Sequence, residues 1–246
     1  IIPTQLNGHV CDMDKLLEIC NNHNLLLIED SAQSLGAKFK DQSAGTFGLT
    51  GSFSFYPAKV IGCFGDGGAV ITNNRELYEK IYLTRDHGRA KIGEVVTWGV
   101  NSRLDNLQAA ILDFKLSKYP LDVLRRREIA TMYEKGLNDV KEIILPPSPS
   151  SNKNKFEVFQ NYEIEVVEPT MRKKFRDYLS KNNIGTILQW GGKAVHEFEG
   201  LGFNISLPFT ENLMRRALLI PMNTALTNNE VMYIIEIIRK YFGYEK

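Results

Sequence analysis

"DMDKLLEICNNHNLLLIED", residues 12–30, passes from a 3.6-residue rhythm into an unbroken apolar run. Met13, Leu16, Leu17 and Cys20 fall at the i, i+3, i+4, i+7 spacing of an amphipathic helix, and Asp12 stands at the position of an N-cap. "LLLIED" then reads as a strand buried on both faces and ending in two acids. A helix feeding such a strand is the repeating unit of a parallel α/β sheet. In these sheets ligands sit beyond the carboxyl ends of the strands, so Glu29, Asp30 and the following "SAQS" form a candidate site edge.

Downstream, "GSFSFYP" (51–57) and "GGAVITN" (67–73) read as further strands, and "RELYEKIYLTRDHG" (75–88) as a helix closed by Gly88. The pattern breaks over residues 90–104 and resumes as a helix with Leu104, Leu107, Ile111 and Phe114 along one face; another helix follows Pro120. "PPSPSSNKNK" (146–155) is too polar for a core and reads as a linker or surface loop. Beyond it come a strand at 156–167, a helix opened by Pro169, strands in "IGTILQW" and "ALLIPM", and a last helix. That helix carries a capping box from Thr227 to Glu230 and a stripe of Val231, Ile234, Ile235 and Ile238. The expected architecture is α/β: a mostly parallel sheet domain over residues 1–119 and a smaller C-terminal α+β domain over 120–246.

Composition narrows the function classes. With 30 basic against 29 acidic residues, the net charge of +1 gives no electrostatic reason to expect nucleic acid or a membrane surface as partner. A small-molecule ligand fits better. Three cysteines, Cys11, Cys20 and Cys63, with no CxxC among them, suit a reducing cytoplasm, and no apolar run approaches the roughly 20 residues that span a bilayer. The opening "IIPTQLNG" has neither a basic n-region nor an apolar h-region. It reads as the inside of a domain, so the chain is expected to begin within a longer one.

Several motifs admit plain explanations. The glycine run "IGCFGDGGA" lacks the GK[ST] of a P-loop and leads into a strand where a dinucleotide site would have a helix, so it reads as a turn of close backbone packing. "CDMD" sits at a helix start and is better read as a cap than as a metal-holding DxD. The four histidines have no ligand spacing, and no metal is expected.

Lys59, at the end of "SFSFYPAK", is harder to dismiss. A lysine desolvated in a pocket loses its proton more readily and becomes a nucleophile toward an aldehyde, as in a Schiff base with pyridoxal phosphate (PLP). That cofactor asks for an Asp beside its pyridine nitrogen, and Asp30 supplies one. Ser54, five residues before the lysine, could bond the cofactor phosphate. On chemistry alone this stands beside a structural reading, since Asp and Lys at strand ends are common.

"IEDSAQSLGA", "GSFSFYPAKVIGCFGDGGAVITNN", "RDHG" and "GVNSRLDNLQAAIL" together resemble the successive motifs of the DegT/DnrJ-type PLP-dependent nucleotide-sugar aminotransferases. The likeness runs in the family's order over roughly the first 135 residues, and "NNIGT" with "LLIPMNTALTNNEV" is similar to its C-terminal domain. The resemblance implies a fold type I transferase whose large domain is incomplete at its N-terminus. It implies Lys59 as the Schiff-base lysine, Asp30 as partner of the pyridine nitrogen, Gln33 beside the ring and Ser54 on the phosphate. Asn101 corresponds to an asparagine that reaches the neighbouring subunit's cofactor, which implies a homodimer with shared sites.

The implied reaction is transfer of an amino group, usually from glutamate, to a nucleotide-linked keto-deoxysugar. Its products would serve lipopolysaccharide O-antigen, other surface glycans or glycosylated natural products. The segment "LQWGGKAVHEF" departs from the family's His-Tyr-Pro pattern. Trp190, Lys193 and His196 there either contact the nucleotide sugar or shape a loop. A non-catalytic or truncated PLP-fold protein is the alternative from another class. A dehydratase of this superfamily would carry histidine at position 59, where this chain has lysine.

Overall fold

Asp12 caps the first helix, accepting from the Lys15 amide at 3.4 Å, and α1 (Met13–His23) ends at Asn24 in the left-handed region, φ 50°. This is a computed structural model, and it describes residues 1–149 and 151–244. Ser150, inside the expected linker, and residues 245–246 lie outside the described residues. After α1 come β1 (Ile28–Asp30), β2 (Lys38–Phe39), β3 (Gln42–Ser43), β4 (Thr50–Ser54) and β5 (Gly68–Ile71). Helices α2 (Arg75–Thr84), α3 (Asn106–Leu116) and α4 (Tyr119–Leu137) follow, then β6 (Ile143–Ile144), β7 (Lys155–Phe156) and β8 (Tyr162–Val166). The chain closes with α5 (Met171–Lys181), α6 (Pro208–Arg216), β9 (Ala217–Ile220) and α7 (Asn228–Tyr241).

The chain forms two compact units: residues 1–124 with 152–160, and residues 125–151 with 161–246. An expected division at 119/120 differs from this in two ways. The break falls inside α4, a continuous helix, and the chain returns once to the first unit before leaving it. The return has a clear cause. Lys155 and Phe156 pair antiparallel with Phe39 and Lys38, and the Lys155 ammonium donates to the Val10 carbonyl at 2.8 Å. The polar stretch read as a linker is thus partly a turn, with the Asn154 amide on Asn152 Oδ1 at 2.9 Å and the Lys40 amide on the Asn154 carbonyl at 2.7 Å.

In the first unit, β1 pairs parallel with β4, and β5 joins β4 antiparallel, giving the order β1-β4-β5. Met13, Cys20 and Leu27 share a buried cluster with Val10, Phe39 and Val158. Only part of the "LLLIED" run is covered: Leu27 and Glu29 are buried while Leu25, Leu26 and Ile28 are exposed. The strand is half-buried because its side chains alternate and the apolar cluster lies to one side of it. The expected apolar face of α3 is likewise open at Leu107 and Phe114.

In the second unit, β6, β8 and β9 make an antiparallel sheet in the order β6-β8-β9. Tyr162, Ile164 and Val166 alternate inward along β8, and Phe175 and Leu179 of α5 are fully buried. The capping box on α7 is formed: the Glu230 amide donates to Thr227 Oγ1 at 3.2 Å while the Thr227 amide donates to Glu230 Oε2 at 2.8 Å. "IGTILQW" makes only an isolated bridge, Ile187 to Leu219, rather than a strand.

Candidate active site

Register on the β1-β4-β5 sheet decides which side chains share a face. Asp30 lies opposite Ser52, and Ser54 is two residues farther along β4, so Asp30, Ser52 and Ser54 project from one face. Glu29 projects from the other. Its carboxylate has no solvent exposure, with Oε1 accepting from the Phe47 amide at 2.6 Å and the Gly48 amide at 3.0 Å, and Oε2 from the Gly45 amide at 2.8 Å and Gln5 Nε2 at 3.0 Å. The two acids of "IED" therefore divide their work: Glu29 ties the 45–48 turn to the strand and Asp30 faces the site. Asp30 is fixed on both sides, its amide donating to the Pro3 carbonyl at 3.0 Å and its Oδ1 accepting from the Ala32 amide at 3.1 Å.

Lys59 follows β4 in a turn whose own amide bonds the Tyr56 carbonyl at 2.9 Å. It is half-buried. Burial holds its ammonium below the usual lysine range, and the Asp30 charge acts on it in the opposite direction. Sequence distance is 29 residues; the strand pairing brings the two into electrostatic reach. Gln33 lies just past β1, where its Oε1 accepts from the Asn7 amide at 2.8 Å. Ser54 Oγ accepts from the Tyr56 amide at 3.2 Å, at the start of the Lys59 turn.

The glycine run closes beneath this turn. An added Cβ on Gly62 would lie 2.5 Å from the Tyr56 carbonyl oxygen and 2.7 Å from that of Pro57, so only glycine lets the chain double back here. The Phe64 amide donates to Gln108 Oε1 at 2.8 Å, Lys115 Nζ donates to the Gly62 carbonyl, and the buried Cys63 sulfur lies 3.0 Å from the Phe55 carbonyl. Among the described residues no group of three or more His, Cys, Asp and Glu side chains is arranged to hold a metal ion, and no helix is long and apolar enough to cross a membrane.

Sequence reasoning missed Gln160. From 101 residues downstream it belongs to the first unit, and its carboxamide bonds the peptides on either side of Lys59, accepting from the Val60 amide at 2.7 Å and donating to the Ala58 carbonyl at 2.8 Å. No motif marks it, because its partners are visible only once the chain has folded. Asn101 is exposed and bridged antiparallel to Asp86.

Trp190, Lys193 and His196 lie in the second unit. Trp190 adopts φ 50° and is 79% exposed, and Lys193 is exposed. His196 is turned inward: its side chain is 3% exposed and Nε2 lies 3.1 Å from Glu211 Oε1. That bond, with those from the Leu207 amide and Ser206 Oγ, holds the Glu211 carboxyl below the ordinary glutamate range. Of the two readings for His196, its burial favours shaping the loop.

The model of the DegT/DnrJ/EryC1/StrS aminotransferase family matches residues 1–239. A dTDP-3-amino-3,6-dideoxy-alpha-D-galactopyranose transaminase of Aneurinibacillus thermoaerophilus is 36% identical over 249 residues, covering 99% of this chain and 65% of that protein. A dTDP-3-amino-3,4,6-trideoxy-alpha-D-glucose transaminase of Streptomyces venezuelae is 32% identical over 251 residues, covering 98% of this chain and 63% of that one. The crystal structure of S. venezuelae DesV in complex with a ketimine intermediate has a TM-score of 0.90 and 32% identity, over 100% of this chain and 65% of that one. The chain thus spans slightly under two thirds of the length of these relatives.

Proposed function

This chain belongs to the DegT/DnrJ/EryC1/StrS aminotransferase family, and from that premise we propose that it serves PLP-dependent transfer of an amino group from glutamate to the keto carbon of a nucleotide-linked deoxysugar. The observation that carries the proposal is Lys59: a half-buried amine whose proton is loosened by burial, acted on by the charge of Asp30 at the carboxyl end of β1. The residues fit the cofactor. A nucleophilic amine, a carboxylate for a ring nitrogen and the Ser54 hydroxyl for a phosphate belong to one unit, with Asp30 and Ser54 on one sheet face.

Bound PLP supplies an aldehyde carbon and a ring that withdraws electrons. Lys59 would hold the cofactor through Nζ at that aldehyde carbon, whose oxygen leaves as water, and as a free amine would carry a proton on and off the reacting carbon. Asp30 would keep positive charge at the ring nitrogen in place, Gln33 would border the ring, and Ser54 would bond the phosphate. Asn101 reaches the cofactor phosphate of the second subunit in a homodimer. That reading is supported by its exposure and by the apolar surface beside it, where Trp98 is 97% and Ile92 84% exposed. Trp190 and Lys193 contact the nucleotide sugar. The product enters lipopolysaccharide O-antigen, another surface glycan or a glycosylated natural product, and the reaction takes place in the cytoplasm.

An absorbance spectrum of the purified chain with added PLP tests this. A visible band that borohydride abolishes in the wild type and that is missing in Lys59→Ala is expected. A Lys59→Ala chain that takes up PLP with the same borohydride-sensitive band would overturn the assignment. A panel of dTDP-, UDP- and GDP-ketosugars with glutamate then identifies the substrate.

A further inference from the structure

We propose that Gln160 is a positioning residue for Lys59: one carboxamide holds the peptide groups on both sides of the lysine and so fixes where its amine stands relative to Asp30. The inference rests on the reading of Lys59 as the PLP-binding amine. Past Phe55, whose amide still donates to the Gly67 carbonyl at 2.7 Å, residues 56–62 belong to no strand, so the lysine lacks the ladder that positions Ser52 and Ser54 in β4. Gln160 replaces it. The Val60 amide donates to its Oε1 at 2.7 Å, and its Nε2 donates to the Ala58 carbonyl at 2.8 Å.

The clamp is itself held. Gln160 is 7% exposed, its neighbour Phe159 is fully buried with an edge contact to the His9 ring at 5.1 Å, and the Val158 amide donates to the Gly8 carbonyl at 2.9 Å. A planar amide carries one acceptor and one donor head on a single group, which is what the Ala58 carbonyl before the lysine and the Val60 amide after it require. Glutamate could serve only the Val60 amide, and leucine neither group. Holding the flanking peptides rather than the amine leaves Nζ free to react while restricting where it reaches.

The test measures the coupling between Asp30 and Lys59 in the full 246-residue chain without cofactor. Competitive acylation over a pH series, read by peptide mass spectrometry, gives the Lys59 titration midpoint. In the wild type Asp30→Asn lowers that midpoint, because a nearby carboxylate favours the ammonium. In a Gln160→Leu background the same substitution is expected to move it by less than about half as much, with the midpoint itself drifting toward the ordinary lysine value. Gln160→Asn, whose shorter arm cannot hold both peptides, is expected to fall between, and it serves as the reading if Gln160→Leu does not fold. Undiminished coupling in the folded variant, accompanied only by a lower melting temperature, would make Gln160 structural and overturn the proposal. Since no arm contains PLP, a chain that fails to bind the cofactor bears on Lys59 as the PLP-binding amine and leaves this measurement decisive for Gln160.

Discussion

Lys59 occupies a place where its own charge is unwelcome, and stability records the cost. Burial lowers its folded proton affinity below that of the unfolded chain, so between the two values the unfolded state holds more protons and stability rises with pH. Below both values the penalty is present in full. Lys59→Met should therefore raise the unfolding temperature at neutral pH, with the gain fading as the pH approaches the alkaline range; a thermal melt of both proteins across pH 6 to about 10 checks it. The same change should abolish PLP uptake. A residue whose removal stabilises the fold and ends the chemistry is the signature of a functional position. Asp30 and Lys59 could be singled out from residue type and strand position, because desolvated amine and nearby acid are a chemical pair. What residue type did not disclose is the work of the adjacent Glu29, whose tie to the 45–48 turn depends on strand register.

Among the elements, those written in a local code were legible. Asp12 before α1 and the Thr227–Glu230 box before α7 announce helix starts through bonds made within four residues. Short strands are less legible, since β2, β3, β6 and β7 have two residues each and exist only through their partners. "IGTILQW" has the composition of a strand, yet its backbone pairing is a single bridge, Ile187 to Leu219. β4 shows how close that partnership can be: an added Cβ on Gly51 would fall 2.2 Å from the Gly45 carbonyl oxygen, and Glu29 binds the Gly45 amide from the paired strand. Gly51→Ala is expected to lose about 1–3 kcal/mol in urea titration, the usual cost of forcing backbone apart in a packed interior. A loss below about 0.5 kcal/mol would mean that the turn yields freely.

For the whole molecule, acid sensitivity has an identifiable source in the first unit. His9 is half-buried beside Phe159, and desolvation first, then the Lys155 charge, lowers its pKa from 6.5 to about 4. The unfolded chain binds this proton near pH 6.5 and the folded chain only near pH 4, so stability should fall as the pH drops through that window. His9→Gln should flatten the slope of melting temperature against pH between those limits; an unchanged slope would place the source elsewhere. The return of residues 152–160 to the first unit was not legible, because polar loop composition says nothing about which strand edge it will meet. That detour limits how relatives of this chain could trade parts. A crossover at the α4 break would import a foreign 152–160 together with the incoming C-terminal half, and with it a stranger's residue at the lysine clamp. Exchanges that keep Gln160 with its native lysine turn should inherit a working nucleophile, while those that separate them should inherit a lysine that is present but badly aimed.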